Sequence, residues 1–343
     1  MAERVCVTGA SGYIATHIVQ QLLEAGYHVR GTVRDPSNEA KTKVLMAIAE
    51  KAQAADRLEL VKADLLDEGS FDEAVKGCKY VLHTASPFQL QARGSPEEYF
   101  VIPAVKGTEN VLNAVAKADS VERVVLTSSC AAVEGYADDK DTPFTEDDWN
   151  RTSTLSDGAY SLSKRRAEEA AWKMAEQQDK YTLVTINPAF VMGPTLTGRN
   201  DTASVEFLKV RLVVGVDGVD THCLVDVRDV ALAHIKAMTS PKAQGRYICS
   251  AKSMSVLEIA AAISAKYPNY RVPTRKVPKF LLYLFGPFQG LSWSFISHNV
   301  GVPLEFDNSK IKRDLDFEFR DVDTSLVEMV DSMVQHGLIP DRR

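Results

Sequence analysis

Residues 5–15 constrain this chain more than any other stretch. Val5-Cys6-Val7 leaves almost no place for a polar group, as in a parallel strand buried on both faces. The strand breaks into Thr8-Gly9-Ala10-Ser11-Gly12-Tyr13-Ile14-Ala15. From Ile14 to Leu23 apolar residues then recur at helical spacing until Gly26 stops the run. Strand, tight glycine turn and helix in that order make half of a βαβ unit of the kind that binds dinucleotides. Gly9 permits the turn, and Gly12 lets a pyrophosphate approach the backbone at the positive end of the helix. Thr8, Gly9, Ser11, Gly12, Tyr13 and Ile14 are the candidate cofactor residues here. A loop that merely joins strand to helix is the simpler alternative, and the third glycine of the usual fingerprint is replaced by Ala15.

The rhythm of the chain favours the cofactor reading. Strand patterns recur at 28–33, 58–62, 80–84, 123–126 and 182–186, with helical segments between them. This predicts an α/β fold built on a Rossmann-type, doubly wound parallel sheet. Ligands bind such sheets beyond the carboxyl ends of the strands, and Gly9, Arg34, Asp64, Ala85 and Ser129 all fall at those ends. An arginine just past the second strand suits a 2′-phosphate, whereas a carboxylate suits a free ribose hydroxyl. Arg34, with Lys41 on the following helix, points to NADP; Asp35 keeps NAD open to a one-residue shift in register. Asp64 can meet an adenine amino group or cap the next helix. After about residue 190 the rhythm changes. Residues 1–190 plus about 223–240 read as the cofactor domain, and about 191–222 plus 241–343 as a smaller, mixed α/β substrate lobe.

Bulk properties exclude several functions. A net charge of −6 with no long basic run argues against nucleic acid. The apolar run from Phe280 to Ile296 contains Gly286, Pro287 and Gly290 and is shorter than the ~18 residues of a membrane span, so it reads as a buried helix or lid. The chain enters a strand directly, without the charged lead-in and cleavage site of a secretory signal. Five scattered cysteines predict reduced core thiols and a cytoplasmic protein. The seven histidines lack ligand spacing, so no metal is expected.

Tyr160 and Lys164 carry the chemistry. They lie one helical turn apart on one face, where the ammonium can stabilise negative charge developing on the phenol. Such pairs also occur by chance on exposed helices. Ser129 at a strand end adds a hydroxyl that can bond the same substrate oxygen the tyrosine protonates.

Taken together, Val7-Thr8-Gly9-Ala10-Ser11-Gly12-Tyr13-Ile14-Ala15, Gly31-Thr32-Val33-Arg34-Asp35-Pro36, Val124-Val125-Leu126-Thr127-Ser128-Ser129 and Tyr160-Ser161-Leu162-Ser163-Lys164 resemble the extended short-chain dehydrogenase/reductases. Within them the chain looks like the dihydroflavonol 4-reductase group. His83-Thr84-Ala85-Ser86-Pro87-Phe88 and Asp226-Val227-Arg228-Asp229-Val230-Ala231 resemble that group's fungal methylglyoxal and aldehyde reductases. The resemblance implies a catalytic set of Ser129, Tyr160 and Lys164 with NADPH as cofactor. It implies that Arg34 and Lys41 bind the 2′-phosphate, Asp64 and Leu65 the adenine, and Thr84, Ala85 and Ser86 the path to the nicotinamide. Tyr160 and Lys164 would also hold the nicotinamide ribose, and Pro188 to Val191 would flank the carboxamide.

Two departures bear on the substrate. Glu134 stands where dihydroflavonol reductases commonly hold asparagine, and it would accept from substrate hydroxyls or sit as a surface carboxylate. Cinnamoyl-CoA reductases carry Asn-Trp-Tyr-Cys-Tyr around the catalytic tyrosine, whereas this chain reads Ser156-Asp157-Gly158-Ala159-Tyr160. Phe88, Tyr136, Phe190 and Met192 are candidates for an apolar pocket, or else simple packing. The expected activity is reduction of a small-molecule aldehyde or ketone by a monomer or homodimer. A sugar-nucleotide epimerase or dehydratase, a hydroxysteroid dehydrogenase and a non-catalytic NADP sensor are the competing readings.

Overall fold

The computed structural model describes residues 3–86, 95–200, 202–214, 221–270, 272, 278–286 and 292–343, with the backbone alone at 210–214 and 295. The first half alternates strand and helix: β1 (Arg4–Thr8), α1 (Tyr13–Glu24), β2 (His28–Val33), α2 (Glu39–Lys51), β3 (Leu58–Lys62), α3 (Asp72–Val75), β4 (Tyr80–His83), α4 (Ile102–Lys117), β5 (Arg123–Thr127), α5 (Ala159–Ala175) and β6 (Thr182–Pro188). The second half holds β7 (Phe190–Met192), α6 (Ala203–Val214), β8 (Thr221–Asp226), α7 (Val227–Thr239), β9 (Gly245–Cys249), β10 (Lys252–Ser255), α8 (Val256–Ser264), α9 (Lys279–Phe285), α10 (Trp293–Asn299), α11 (Ser309–Leu315) and α12 (Val322–Gln335).

Seven parallel strands form one sheet in the order β3-β2-β1-β4-β5-β6-β9, and three form a smaller mixed sheet, β10-β8-β7. Strand order reverses between β1 and β4, which opens a crevice at their carboxyl ends. The expected doubly wound Rossmann-type sheet is therefore present. One core packs α1, α2, α7 and α11 on one face through Ile18, Leu22, Leu45, Val230 and Ile311. A second packs α3, α4 and α5 on the other through Val75, Val111, Val115 and Ala171. A third, around Met192, Leu224, Ile259 and Met329, belongs to the smaller sheet. Each of the helices flanking the large sheet turns apolar residues toward it, and burial of those residues holds the layers together.

Three expectations need correction. The strand at 245–249 extends the large sheet beside β6, and α11 covers that edge through Ile311 and Leu315, so 241–343 does not lie wholly in the smaller lobe. Conversely β8, expected partly with the cofactor domain, pairs only with β7 and β10 among the described residues. The segment from Phe280 to Ile296 is not a single buried helix where it is described: α9 buries none of its residues, Phe280 and Trp293 are 64% and 67% exposed, and in α10 Ile296 is buried. No helix among the described residues is long and apolar enough to cross a membrane. All five cysteines are buried and unbridged.

Candidate active site

A cleft of about 1030 Å³ runs along the carboxyl ends of the large sheet and under the smaller lobe. At its centre is the glycine turn. Gly9 has φ +64°, and a Cβ there would stand 3.0 Å from the Ala85 Cβ, so the turn needs glycine for both conformation and space. Gly12 then starts α1 with no side-chain cap and no acidic residue in the first turn, leaving the helix N-terminus open to an anion.

Thr8 does not border this cleft: it is fully buried and organises the neighbouring strand end. Its Oγ1 accepts from the amides of Thr84 and Ala85 at 3.1 and 3.0 Å, so its own proton goes to His83 Nδ1 at 2.8 Å. Burial, and then the nearby Lys164 charge, press His83 down to about 3, which keeps it a neutral acceptor. Tyr13 borders the cleft, with its hydroxyl committed to the Gly193 carbonyl at 2.6 Å.

At one end of the cleft Arg34 is exposed directly after β2, with Lys41 on α2. The register question over Asp35 has a local answer. Its carboxylate accepts from the Ser37 amide and hydroxyl at 2.9 and 2.6 Å, and those bonds hold it below the usual carboxylate range. Asp64 and Leu65 line the same end, and Asp64 Oδ1 also closes a turn onto the Leu66 amide at 3.0 Å. Leu65 additionally offers its carbonyl to Asn110 Nδ2 at 2.8 Å, which anchors this wall to α4.

Towards the other end, Ser86, Ser129, Tyr160 and Lys164 border one cleft. Gly158, at φ +88°, turns the chain so that Tyr160 enters the first turn of α5, where the helix dipole adds positive potential to that of Lys164. The Lys164 ammonium lies 5.8 Å from the Tyr160 ring centre and donates to Ser86 Oγ at 3.1 Å. Ser129 Oγ accepts from the Ala131 amide at 3.2 Å, which sets its rotamer. Behind it, Glu168 accepts from Ser128 Oγ at 2.5 Å, Asn187 Nδ2 at 2.8 Å and Arg246 Nε at 2.7 Å, and Asn187 also donates to the Ser129 carbonyl at 3.1 Å. Sequence reasoning did not single out Glu168, Asn187 or Arg246. The available signal was spacing, since Tyr160, Lys164, Glu168 and Trp172 form one i,i+4 stripe along α5.

The chain belongs to the NAD dependent epimerase/dehydratase family. Its family model matches residues 5–249. The chain is 38% identical to the tetraketide alpha-pyrone reductase 1 of Arabidopsis thaliana, over 98% of this chain and 97% of that one. It is 36% identical to a bifunctional dihydroflavonol 4-reductase/flavanone 4-reductase of Pyrus communis, over 99% and 93% of the two chains. Yeast methylglyoxal/isovaleraldehyde reductase Gre2, solved with NADPH, superposes with a TM-score of 0.80 at 30% identity, covering 98% of this chain and 100% of that one.

In this family member the remaining wall departs from the sequence reading. Pro188, Phe190 and Val191 line the cleft, as does Glu134. Met192 is fully buried in the core of the smaller lobe, where α6, α8 and α12 cover it and Phe190 packs against the same cluster. Tyr136 lies off the cleft lining; its hydroxyl bonds Ser294 Oγ at 2.7 Å and Asp157 at 3.2 Å, and its ring stacks on His298. Phe88 lies outside the described residues. In their place, His222, Cys223, Leu304 and Phe306 come from distant segments, and His222 forms an aromatic cluster with Phe190 and Phe207. Glu134 is no surface carboxylate: burial pushes it up to about 7.

Proposed function

We propose that this protein is an NADPH-dependent reductase that converts the carbonyl of an aldehyde or ketone to an alcohol. The observation that carries the reading is one continuous cleft bordered by an open helix N-terminus, by Arg34 and Lys41 at one end and by Ser129, Tyr160 and Lys164 at the other. The glycine turn, Arg34 and Lys41 fit a phosphorylated dinucleotide, which when bound supplies the two electrons as hydride. Ser129 Oγ orients the carbonyl oxygen, and Tyr160 donates its phenolic proton to that oxygen as charge develops there. Lys164, with the first turn of α5, stabilises the phenolate left behind and returns a proton path to solvent through the exposed side of the tyrosine, which is 36% accessible. An NADPH-oxidation screen of aldehydes, α-dicarbonyls and dihydroflavonols tests the reading; turnover of none of them with NADPH would refute it.

The substrate end favours a planar or aliphatic molecule with hydroxyl groups. Phe190, Leu304 and Phe306 supply apolar surface, and Glu134 supplies a group that donates when protonated and accepts when ionised. With its transition near 7, Glu134 gains negative charge over the neutral range. The KM for an anionic α-keto acid should therefore rise as pH increases through about 7, and Glu134→Gln should flatten that rise without altering NADPH affinity. The linked stability has a definite sign. A carboxyl raised in the folded state favours folding below its unfolded value of ~4.3, and that contribution is lost as pH rises through about 7.

Cofactor choice rests on Arg34. Loss of a charge-assisted bond to the 2′-phosphate in Arg34→Ala should reduce the preference for NADPH over NADH by about 10-fold or more. Equal preference ratios in variant and parent, measured as kcat/KM with each cofactor, would remove Arg34 from that role.

A further inference from the structure

Four cations border the cleft among the described residues: Arg34, Lys41, Lys164 and Arg199. The first two stand at the end of β2 and on α2, and Lys164 stands beside Ser86. Arg199 comes from the segment between β7 and α6, far away in sequence, yet its guanidinium donates to the Ser11 carbonyl at 3.1 Å, inside the glycine turn. Its approach is built in. The Tyr13 hydroxyl holds Gly193 at 2.6 Å, and His17 Nε2 donates to the Pro194 carbonyl at 2.9 Å. Further along, the Thr195 amide donates to Ser332 Oγ at 2.9 Å and Thr195 Oγ1 to the Thr197 carbonyl at 2.8 Å. Helix α1 thus holds Gly193 and Pro194 through its side chains, and α12 holds Thr195, which together set the path of the segment that brings Arg199 to the glycine turn.

We propose that Arg199 binds the pyrophosphate of NADP(H), clamping it against the glycine turn from the side of the smaller lobe. This rests on the cofactor reading above. A helix N-terminus offers about half a positive charge, whereas a pyrophosphate carries about two negative ones. The α1 N-terminus has no side-chain cap and no basic residue of its own in its first turn, so its charge deficit must be met from elsewhere in the fold. A guanidinium is a planar fork of five donors, which can keep Ser11 and engage a phosphate oxygen at once. Because the same segment follows Phe190 and Val191, cofactor binding would also fix the position of that part of the substrate wall.

The test compares three ligands on the full chain by calorimetric titration: NADPH, NADH and 2′-AMP, which has the 2′-phosphate but no pyrophosphate. Arg199→Gln should weaken NADPH and NADH alike, by about 10-fold each, and leave 2′-AMP unchanged. Arg199→Lys, which keeps the charge, should recover part of the loss. Unchanged NADPH affinity in Arg199→Gln would overturn the proposal, and so would an equal loss for 2′-AMP, since that would report a disturbed pocket. Arg34→Ala gives the opposite pattern, weakening NADPH and 2′-AMP but not NADH. A parent protein that binds neither NADPH nor NADH would refute the cofactor reading itself, which separates that failure from failure of the arginine assignment alone.

Discussion

Tyr160→Phe should lower kcat by about 10²- to 10⁴-fold while leaving NADPH affinity nearly unchanged. The substitution removes one oxygen and keeps the ring. Tyr160 stands in the first turn of α5 and is 36% exposed, so the deletion creates no buried void. The residues that would hold the adenosine phosphate and pyrophosphate, the glycine turn and Arg34 with Lys41, lie elsewhere along the cleft, and Lys164 would keep its hold on the nicotinamide ribose. In the proposed mechanism what is lost is the proton donor to the carbonyl oxygen, a group needed only as charge develops in the transition state. Single-turnover measurements of NADPH oxidation, beside a titration of NADPH binding, separate the two effects. Residual activity above a tenth of the parent would remove Tyr160 as the general acid.

Arg246→Ala should cost about 3–5 kcal/mol of stability, a large share of the ~5–15 kcal/mol that folded proteins hold. The Arg246 side chain is 7% exposed and that of its partner Glu168 is fully buried, with Nε and Oε1 2.7 Å apart. Removing the guanidinium leaves the Glu168 carboxylate in the interior with only Ser128, Thr185, Asn187 and Trp172 as donors. It also frees the carbonyls of Glu146 and Asp148, which the same guanidinium satisfies, and uncovers the face of Trp149 3.9 Å away. The urea midpoint should fall with little change in slope. Activity should fall too, because the cluster reaches the Ser129 carbonyl through Asn187. A midpoint shift worth less than about 1 kcal/mol would show that Glu168 finds full compensation without the arginine.

The fold, and the local placement of the candidate catalytic residues, were legible because their signals are local. Val5-Cys6-Val7 ends within a residue of the observed strand, since a buried parallel strand leaves its apolar run in consecutive residues, and Leu58–Lys62 coincides with the edge strand β3. The four-residue spacing of Tyr160 and Lys164 needs only the helical repeat to become a shared face. The substrate wall was not legible in the same way. Phe190 and Met192 stand two residues apart in one strand, so alternation puts both on one face; yet Phe190 borders the cleft while Met192 lies under the helices of the smaller lobe. The packing of α6, α8 and α12 makes that choice. Tyr136 looked equally suited to a pocket and is instead tied to Asp157 and Ser294.

By itself, the sequence determined that this chain has strands long and apolar enough for a parallel sheet, a glycine turn at the first of them, and a phenol, an ammonium and a hydroxyl at strand ends or helix starts where ligands bind. Each of these follows from backbone geometry within a few residues. Tertiary structure alone decided that Glu168 meets Arg246 across 78 residues and that Arg199 reaches Ser11 across 188. It also decided that Glu134 sits where burial raises it to about 7. Such pairings carry no local pattern, because their energy comes from desolvation and from contacts that exist only once the sheet has closed its crevice under the smaller lobe.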